Sequence, residues 1–511
     1  MSPLDGYRDH PEILAFIERA GGRLLESLLA GTPREAPMLT YGSPEDHARA
    51  LADGVGLPLV EHEPAHATEA LLEAVETILE RAVRSEHPRF FNQSWAGADP
   101  VAVLGDWLGA RLNTTAATYE MAPLFTLMDD AILGRMAELA GWATPRRALR
   151  TAPGAHGLFT PGGATSNLYA VHLARSWKAP EALETGRAPP LVGFTSAQSH
   201  YSMEKAFMMT GLGRSQLVQV PCDAWGRMKV DALAAAIEDA RARGGVPFLV
   251  NATAGTTVTG AFDPLEPIAR LAKDHGLWLH VDGSLGGSVL FSERERGRLA
   301  GLEHAHSFAW NPHKLMGITQ QCSVLLLRDG SALRPAFATG AGYIFQTDKN
   351  DAELDLGDLT LQCGRRADGL KLWLTWKARG EAWFGRRIER ALDLAARLEG
   401  AIVEDPRFAL AHPRSFSNVG FWWVPPKMRP LPPEPGPAAM KRLGTYPRPI
   451  KDRLQREGSL MLGYQALGAL PSFFRLLVMS PDVTWKDLEA SLELIDRHGL
   501  ATLPVDGAVA P

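Results

Sequence analysis

Lys314 and Asp282 are the two residues whose types and positions most strongly indicate chemistry. Lys314 ends the sequence NPHK (311–314), which follows the apolar stretch 308–310, and Asp282 follows the apolar run 277–281. A carboxylate at the end of a buried strand needs a partner to be tolerated there. A lysine that forms a Schiff base, with an aspartate at the pyridinium nitrogen, is the signature of a pyridoxal phosphate site. The pair therefore predicts this cofactor, with Lys314 as its covalent attachment.

A glycine-rich turn supplies a candidate phosphate site. The sequence TPGGATSN (160–167) precedes an apolar, helix-like run from 168 to 177. Glycines let the backbone approach a phosphate, hydroxyls donate hydrogen bonds, and a helix N-terminus adds a positive dipole. The spacing matches neither GxxxxGK[ST] nor GxGxxG, which excludes a Walker loop and a dinucleotide fingerprint. Taken alone the turn is an ordinary helix entry, and it gains meaning by occurring with Asp282 and Lys314.

Two further candidates follow other strand-like runs. His200 comes after the run 191–194, where it is either a loop residue or a ring that stacks on the cofactor and assists protonation. Thr253 comes after 248–250, where its hydroxyl serves either the turn or the cofactor.

Strand-like and helical segments alternate from about residue 100 to 385, and this alternation predicts how the candidates are positioned. Short apolar runs are separated by amphipathic stretches such as 230–242 and 267–275. Alternation of this kind predicts a mostly parallel sheet covered by helices on both faces. In open α/β sheets, ligands bind outside the carboxyl ends of the strands, which is where Asp282, His200 and Thr253 fall.

The sequence predicts three parts. Residues 1–95 read as a helical arm without an evident strand, 96–385 as the large cofactor-binding α/β domain, and 386–511 as a small α+β domain with strand-like runs 419–424 and 473–478. An amphipathic arm of this kind needs another surface for its apolar face, and a second subunit is one solution.

Composition excludes several classes of function. The 511 residues carry 53 Lys+Arg and 58 Asp+Glu, a net charge of −5, without a basic run for nucleic acid. No apolar stretch reaches the roughly 18 residues of a membrane-spanning helix, and no signal peptide is evident. Three scattered cysteines fit neither a disulfide scaffold nor a zinc site, so we expect a cytoplasmic protein without a structural metal.

From about residue 85 almost to its C-terminus, the chain resembles the group II pyridoxal phosphate-dependent decarboxylases, in particular the glutamate and cysteine sulfinate decarboxylase branch. The matching stretches occur in order and are HPRFFNQ (87–93), TYEMAPLFTLMD (118–129), TPGGATSNLYA (160–170), ATAGTTVTGAFDPL (252–265), HVD (280–282), NPHKLMG (311–317), GYIFQTDK (342–349) and LQCGRR (361–366).

The resemblance implies an aspartate aminotransferase-like fold (fold type I) and a homodimer with active sites shared between subunits. Lys314 would form the Schiff base, Asp282 would pair with the pyridine nitrogen, and His200 would stack on the ring. Tyr343 would reach in from the partner subunit and protonate the α-carbon. The remaining implied cofactor contacts are Ala164, Thr165, Ser166, Thr253, Asn311 and His313. Gln93 and Arg475 would bind the substrate carboxylates.

Two positions indicate a small acidic substrate. Glutamate enzymes of this branch have a small serine where this chain has Trp95 and an asparagine where it has Thr115, whereas cysteine sulfinate and aspartate decarboxylases have an aromatic residue and a serine. An indole shortens the pocket, which favours cysteine sulfinate, cysteate or aspartate. Two departures from the family pattern, Ala116-Ala117 and Gly283-Ser284-Leu285, predict no substrate by themselves.

Three alternatives remain. Within the same chemistry, the substrate is glutamate, which would give 4-aminobutyrate, or another acid such as a phosphonate. On the same fold, the reaction is that of an aminotransferase or lyase, because Lys314 and Asp282 alone do not discriminate. Outside enzymology, the chain is a non-catalytic scaffold relative. Tyr343 and the HPRFFNQ segment argue against an aminotransferase or lyase. The complete set of lysine, aspartate, histidine and tyrosine argues against a non-catalytic relative.

Overall fold

The computed structural model describes residues 11–52, 55–57, 68–143, 154–342, 348–349 and 351–503. The α-helices are α1 Pro11–Ala30, α2 Pro44–Ala52, α3 Thr68–Arg81, α4 Pro100–Leu112, α5 Pro123–Leu139, α6 Gly163–Lys178, α7 Ala182–Thr185, α8 Ser202–Met209, α9 Val230–Ala242, α10 Leu265–His275, α11 Leu333–Phe337, α12 Gly369–Arg379, α13 Glu381–Glu404, α14 Pro437–Leu443, α15 Pro447–Glu457 and α16 Trp485–Leu500. The strands are β1 Phe90–Phe91, β2 His156–Thr160, β3 Leu191–Ser196, β4 Leu217–Val220, β5 Val246–Thr253, β6 Trp278–Gly283, β7 Ser307–Trp310, β8 Ser323–Leu327, β9 Phe408–Leu410, β10 Asn418–Trp423, β11 Met461–Leu467 and β12 Leu470–Leu477.

The larger sheet has seven strands in the order β2-β8-β7-β6-β5-β3-β4. Strand β8 runs antiparallel to both of its neighbours, and the other pairs are parallel. The carboxyl ends of β2, β3, β5, β6 and β7 therefore meet at one edge. The prediction of a mostly parallel sheet is confirmed.

The central strands read as continuous apolar runs because helices cover both faces of the sheet. Every residue of β3 and β6 is buried. Helix α10 shows how a helix holds the next strand in place: Leu265, Ile268, Ala269 and Ala272 bury one face at helical spacing. It ends at Gly276, whose φ of 65° is a left-handed conformation that glycine adopts without strain, and β6 follows directly.

The smaller sheet has five strands in the order β1-β11-β12-β10-β9. Its first strand corrects an expectation, because the N-terminal part was predicted to contain no strand. Phe90 and Phe91 instead pair in parallel with Met461 and Leu462 of β11. A two-residue strand carries no periodic signal, so the sequence pattern could not reveal it.

No helix in the described ranges is both long and apolar enough to cross a membrane. The division into parts 1–95, 96–385 and 386–511 stays a prediction, although β1 joins the end of the first part to the sheet of the third.

Candidate active site

Asp282, Thr253, His200, Asn311 and Lys314 lie at the carboxyl edge of the larger sheet. Asp282 is in β6, where its register partners are Thr253 on β5 and Ala309 on β7. Asn311 and Lys314 follow β7 in one turn, closed by a 3.0 Å hydrogen bond from the Lys314 amide to the Asn311 carbonyl. His200 follows β3. Parallel pairing thus brings together residues that are far apart in sequence.

Asp282 is a buried carboxylate with hydrogen-bond donors on both oxygens. It is 4% exposed, and it accepts hydrogen bonds from the Ser284 amide at 3.0 Å and from Asn167 Nδ2 at 2.9 Å. Burial alone would raise the pKa of Asp282, but these hydrogen bonds and the positive charge of Lys314 lower it below its ordinary value. The carboxylate therefore stays ionised.

Lys314 is an amine that burial makes more nucleophilic. Burial lowers the pKa of Lys314, and the negative charge of Asp282 opposes that effect. Among the described residues, no carboxylate oxygen lies within 4.0 Å of the Lys314 amine. The two groups thus interact electrostatically without forming a direct ion pair.

His200 is held at its Nδ1 atom by Ser202. Its Nδ1 lies 2.8 Å from Ser202 Oγ and 3.3 Å from the Ser202 amide nitrogen. Its ring centroid lies 4.3 Å from that of Tyr201. Burial lowers the pKa of His200, so the ring is neutral at pH 7.

The start of α6 forms a backbone cradle. A Cβ on Gly163 would lie 2.5 Å from Ser284 Oγ and 2.8 Å from Asn311 Nδ2, so glycine is required for this close approach. The Thr165 and Ser166 amides bond to the Gly162 carbonyl. The preceding amides, including that of Ala164, have no carbonyl within the helix to bond, which suits an anion.

The predicted phosphate contacts differ in their surroundings. Thr165 is partly exposed at the start of α6. Ser166 is fully buried, and its hydroxyl lies 2.7 Å from Thr160 Oγ1, which directs it toward β2. His313 donates from Nδ1 to the Cys322 carbonyl at 2.7 Å. Burial, reinforced by the charge of Lys314, lowers the pKa of His313 to about 4.

Two buried polar atoms test whether this site fits pyridoxal phosphate. Thr253 and Asn311 are each 3% exposed, and Thr253 Oγ1 and Asn311 Oδ1 have no hydrogen-bond partner. Buried polar atoms without a partner are costly unless a ligand satisfies them. An ionised aspartate for the ring nitrogen, a buried amine for the covalent attachment and a free helix N-terminus for the phosphate are the groups that pyridoxal phosphate requires. The residues fit the cofactor.

Arg475 lies on β12 of the smaller sheet, and its positive charge has no acidic partner among the described residues. Its guanidinium donates to the carbonyls of Thr257 and Asn92, both at 3.1 Å, and its Nε has no partner. No described carboxylate forms an ion pair with it, and burial lowers its pKa. Gly463 lies opposite, and a Cβ there would come within 3.3 Å of the guanidinium. This arrangement suits a carboxylate or sulfinate.

Lys451 gives this region a second positive charge, which the sequence did not indicate. Its ammonium donates to Asn92 Oδ1 at 3.2 Å. Burial lowers the pKa of Lys451, and the charge of Arg475 lowers it further. Lys451 lies on α15, where a lone lysine has no recognisable signal.

The other predicted substrate residues are placed separately. Gln93 is exposed beside Asn92. Trp95 packs on Phe90 with ring centroids 5.8 Å apart. It lines a cavity of about 780 Å³ together with His313. Thr115 lies elsewhere, since its hydroxyl accepts from the Arg365 amide at 3.0 Å. The chain therefore brings Trp95, but not Thr115, to this cavity.

The structure shows the surroundings of the two departures from the family pattern and gives a steric reason for Gly283. Ala116 and Ala117 are buried where residues 356–365 cross them: the Ala116 amide bonds to the Arg365 carbonyl, and the Ala117 carbonyl accepts from Leu356. A Cβ on Gly283 would lie 2.3 Å from the Phe308 ring. Phe308 therefore fills the space that a methyl group would need, on the strand face opposite to Asp282.

Sequence reasoning missed Asn167, Ser202 and Ser284, which hold the predicted residues in place. Asn167 and Ser284 stand inside or next to matching stretches, so proximity to TPGGATSN and HVD was the available signal. Tyr343 lies outside the described residues.

The chain matches the model of the pyridoxal-dependent decarboxylase conserved domain over residues 56–424. It is 41% identical to mouse cysteine sulfinic acid decarboxylase, over 97% of this chain and 98% of that one. It is also 41% identical to the acidic amino acid decarboxylase GADL1 of Xenopus tropicalis, over 84% of this chain and 83% of that one. A crystal structure of mouse CSAD superimposes with a TM-score of 0.89 at 39% identity, covering 96% of this chain and 99% of that one. The chain belongs to the pyridoxal-dependent decarboxylase family and is a carboxy-lyase that uses pyridoxal 5'-phosphate.

Proposed function

We propose that the chain decarboxylates a small acidic L-amino acid, namely cysteine sulfinate, cysteate or aspartate, to the corresponding amine. The relatives named above are a cysteine sulfinic acid decarboxylase and an acidic amino acid decarboxylase, which supports this substrate class. The observation that carries the proposal is Arg475, a largely buried guanidinium bonded only to backbone carbonyls. An unpaired buried cation of this kind is stabilised when an acidic substrate arrives.

The cofactor supplies the electronic part of the reaction. When bound, pyridoxal phosphate withdraws electron density from the α-carbon of an attached amino acid, so that the bond to the carboxylate breaks more easily. Lys314 would hold it covalently, and the ionised Asp282 would keep its ring nitrogen protonated. The start of α6, with Ala164, Thr165 and Ser166, would hold its phosphate along with His313. Thr253 Oγ1 and Asn311 Oδ1 would gain the partners that they lack.

The chain's own residues orient the substrate. Arg475 and Gln93 would bind its acidic groups, with the charge of Lys451 behind them. Fixing both ends of the substrate sets which bond at the α-carbon is broken, and positioning of this kind contributes strongly to rate. Trp95 would limit the length of the substrate, and the part of Thr115 in substrate choice stays a prediction.

Proton delivery completes the reaction, because the α-carbon takes up a proton where CO2 has left. Tyr343 is the proposed acid, by resemblance. His200, neutral and held by Ser202, would cover the cofactor ring.

A substrate panel tests the proposal. CO2 release would be measured with the purified chain and pyridoxal phosphate across cysteine sulfinate, cysteate, aspartate, glutamate and a phosphonate analogue. We expect the highest kcat/KM for a three-carbon acid. Faster turnover of glutamate than of every three-carbon acid would overturn the substrate assignment, and conversion of the amino acid to its 2-oxo acid without CO2 release would overturn the reaction type.

We further propose a homodimer with shared active sites. Three exposed leucines, Leu104, Leu108 and Leu112, recur every four residues along α4 and are 41–56% exposed. Helix α1 also carries exposed apolar residues, including Leu24 and Leu25. A contiguous apolar face of this kind favours a protein partner.

Light scattering tests the dimer. The chain should elute with twice its own mass, and Leu104→Asp with Leu108→Asp should release monomers of low activity. Val403→Asp, at an exposed apolar position on α13, should leave the dimer intact. A fully active monomer would contradict shared sites.

Finally, we propose a cytoplasmic location, supported by three free thiols, which cell fractionation would test.

A further inference from the structure

Asn167 lies between Asp282 and Ser202, the serine that holds His200. The proposed function gives it no role. It lies near the N-terminal end of α6, is 1% exposed, and contacts three different side chains. Its Nδ2 lies 2.9 Å from Asp282 Oδ2 and 2.8 Å from Ser202 Oγ, and its Oδ1 lies 3.0 Å from His280 Nε2.

The contact with Asp282 determines which way the carboxamide points. An ionised carboxylate only accepts hydrogen bonds, so the group facing it must be the NH2 of Asn167. The carbonyl oxygen therefore faces His280, and the Nε2 of that ring must carry a hydrogen.

The far side of His280 agrees with this assignment. The Trp278 indole is a donor only, and it lies 2.8 Å from Ser307 Oγ. Ser307 is then free to donate its own hydrogen to His280 Nδ1 at 2.9 Å. Burial lowers the pKa of His280 to about 4, so the ring is neutral, with a single hydrogen on Nε2. In the series Trp278, Ser307, His280 and Asn167, each side chain thus donates one hydrogen bond to the next.

The second N–H of Asn167 determines, through Ser202, the direction of the hydrogen bond to His200. It donates to Ser202 Oγ, which leaves the Ser202 hydroxyl to donate to His200 Nδ1 at 2.8 Å. The Ser202 amide also points at Nδ1, at 3.3 Å. A neutral His200 therefore carries its hydrogen on Nε2.

Burial makes this chain of hydrogen bonds hard to replace. His280 and Ser307 are fully buried, and Ser202 is 1% exposed. Water cannot readily take the place of a lost partner in such surroundings, so each deletion leaves an unpaired group.

We propose that Asn167 is a positioning residue that acts on the cofactor through two neighbours: it keeps Asp282 as the ionised partner of the ring nitrogen, and it fixes the Nε2–H form of His200 through Ser202. This inference rests on the proposed function, because it assigns Asp282 to the ring nitrogen. Asn167 would touch neither cofactor nor substrate, yet it would set the ionisation of Asp282 and the position of the hydrogen on His200.

Cofactor affinity tests the branch through Asp282. Dissociation constants would be measured with the full-length chain freed of cofactor, for pyridoxal phosphate and for its analogue with carbon in place of the ring nitrogen. We expect Asn167→Leu to weaken pyridoxal phosphate binding about tenfold or more, in line with the loss of a hydrogen bond to a charged group, and to leave the analogue within about twofold.

Asn251 provides the matched control. It is a fully buried asparagine on β5 that bonds to Thr195 Oγ1 at 2.9 Å and forms no hydrogen bond with Asp282. Asn251→Leu should leave the affinity for both ligands unchanged. Equal weakening of both ligands by Asn167→Leu, or no weakening of either, would overturn the inference. Unsubstituted chain that binds cofactor but releases no CO2 would instead count against the proposed function alone.

Nitrogen NMR of chain labelled with 15N-histidine tests the branch through Ser202. The His200 signals, identified by their loss in His200→Gln, should show a neutral ring protonated at Nε2. Ser202→Ala should shift them toward a mixture of both neutral forms. A hydrogen on Nδ1 in the unsubstituted chain would contradict the assigned direction of the hydrogen bonds.

Discussion

The Arg475 guanidinium donates a 3.1 Å hydrogen bond to the carbonyl oxygen of Asn92, the residue immediately before Gln93. A cation on the smaller sheet is thereby joined to the segment that carries a proposed substrate contact. The same guanidinium reaches Thr257, in the loop after β5 of the larger sheet. One side chain therefore connects the two sheets at the point where an acidic substrate would enter.

Loss of the Arg475 charge should weaken the use of substrate and spare the cofactor. Arg475→Met should lower kcat/KM about 100-fold, as expected for roughly 3 kcal/mol from a charge-assisted interaction, with most of the effect in KM. Arg475→Lys keeps the charge but loses the planar fork, so it should recover only part of the activity. The visible absorbance of bound cofactor serves as the control and should not change. Unaltered kinetics in Arg475→Met would remove Arg475 from the substrate site.

Lys314→Ala should abolish the visible absorbance band that the chain shows with pyridoxal phosphate, together with CO2 release, because no other amine replaces the covalent attachment. Lys377, an exposed lysine on α12, offers a control: Lys377→Ala should keep both band and activity. A band that persists in Lys314→Ala would place the attachment elsewhere.

Tyr343→Phe should slow amine release and raise the proportion of transamination by-product, because the proton then reaches the cofactor more often than the α-carbon. Product ratios determined by chromatography would measure this. A variant that matches the unsubstituted chain in rate and by-product would exclude the assigned role.

Trp95→Ser should make longer acids better substrates, because it enlarges the cavity next to His313. We expect the ratio of kcat/KM for glutamate to that for cysteine sulfinate to rise about tenfold, the scale of adding space for one methylene. Trp107 lines the same cavity from α4, and Trp107→Ser should not change the ratio. An unchanged ratio in Trp95→Ser would show that the indole does not set substrate length.

The stability of the fold should decrease as the pH falls from about 6.5 to 4. Burial lowers the pKa of His280, His306 and His313 to about 4 from an ordinary value of 6.5. Within that window the unfolded chain binds more protons than the folded chain. The free energy of unfolding therefore decreases as the pH decreases, and these histidines no longer reduce it above pH 6.5. Urea denaturation from pH 4.5 to 7.5 would measure the slope. His306→Gln should make it shallower, and His304→Gln, at an exposed position, should not. A free energy that is constant across this range would contradict the prediction.

Much of the fold could be predicted from the sequence because its signals are local. The predicted stretch 230–242 coincides with α9, and the runs containing 248–250 and 324–327 lie within β5 and β8. The residues at the sheet edge could be predicted too, since parallel strands bring their carboxyl ends together.

Other parts could not be predicted, for reasons that lie in tertiary structure. Lys451 approaches Asn92 only because α15 packs on the smaller sheet. The hydrogen-bond partners of Ser166 and Thr115 depend on contacts with Thr160 and with Arg365, which no spacing rule encodes. Gly283 could be explained only once the Phe308 ring beside it was visible.

The pairing of Phe90 with Met461 has a consequence for how the protein is made. During synthesis the segment with Gln93 leaves the ribosome early, whereas its strand partner and Arg475 emerge near the end. The substrate end of the site therefore has no partner until translation is almost complete. Nascent chains that stop before β11 should form the larger sheet with its proposed cofactor-binding residues. They should lack the Arg475 contact for an acidic substrate.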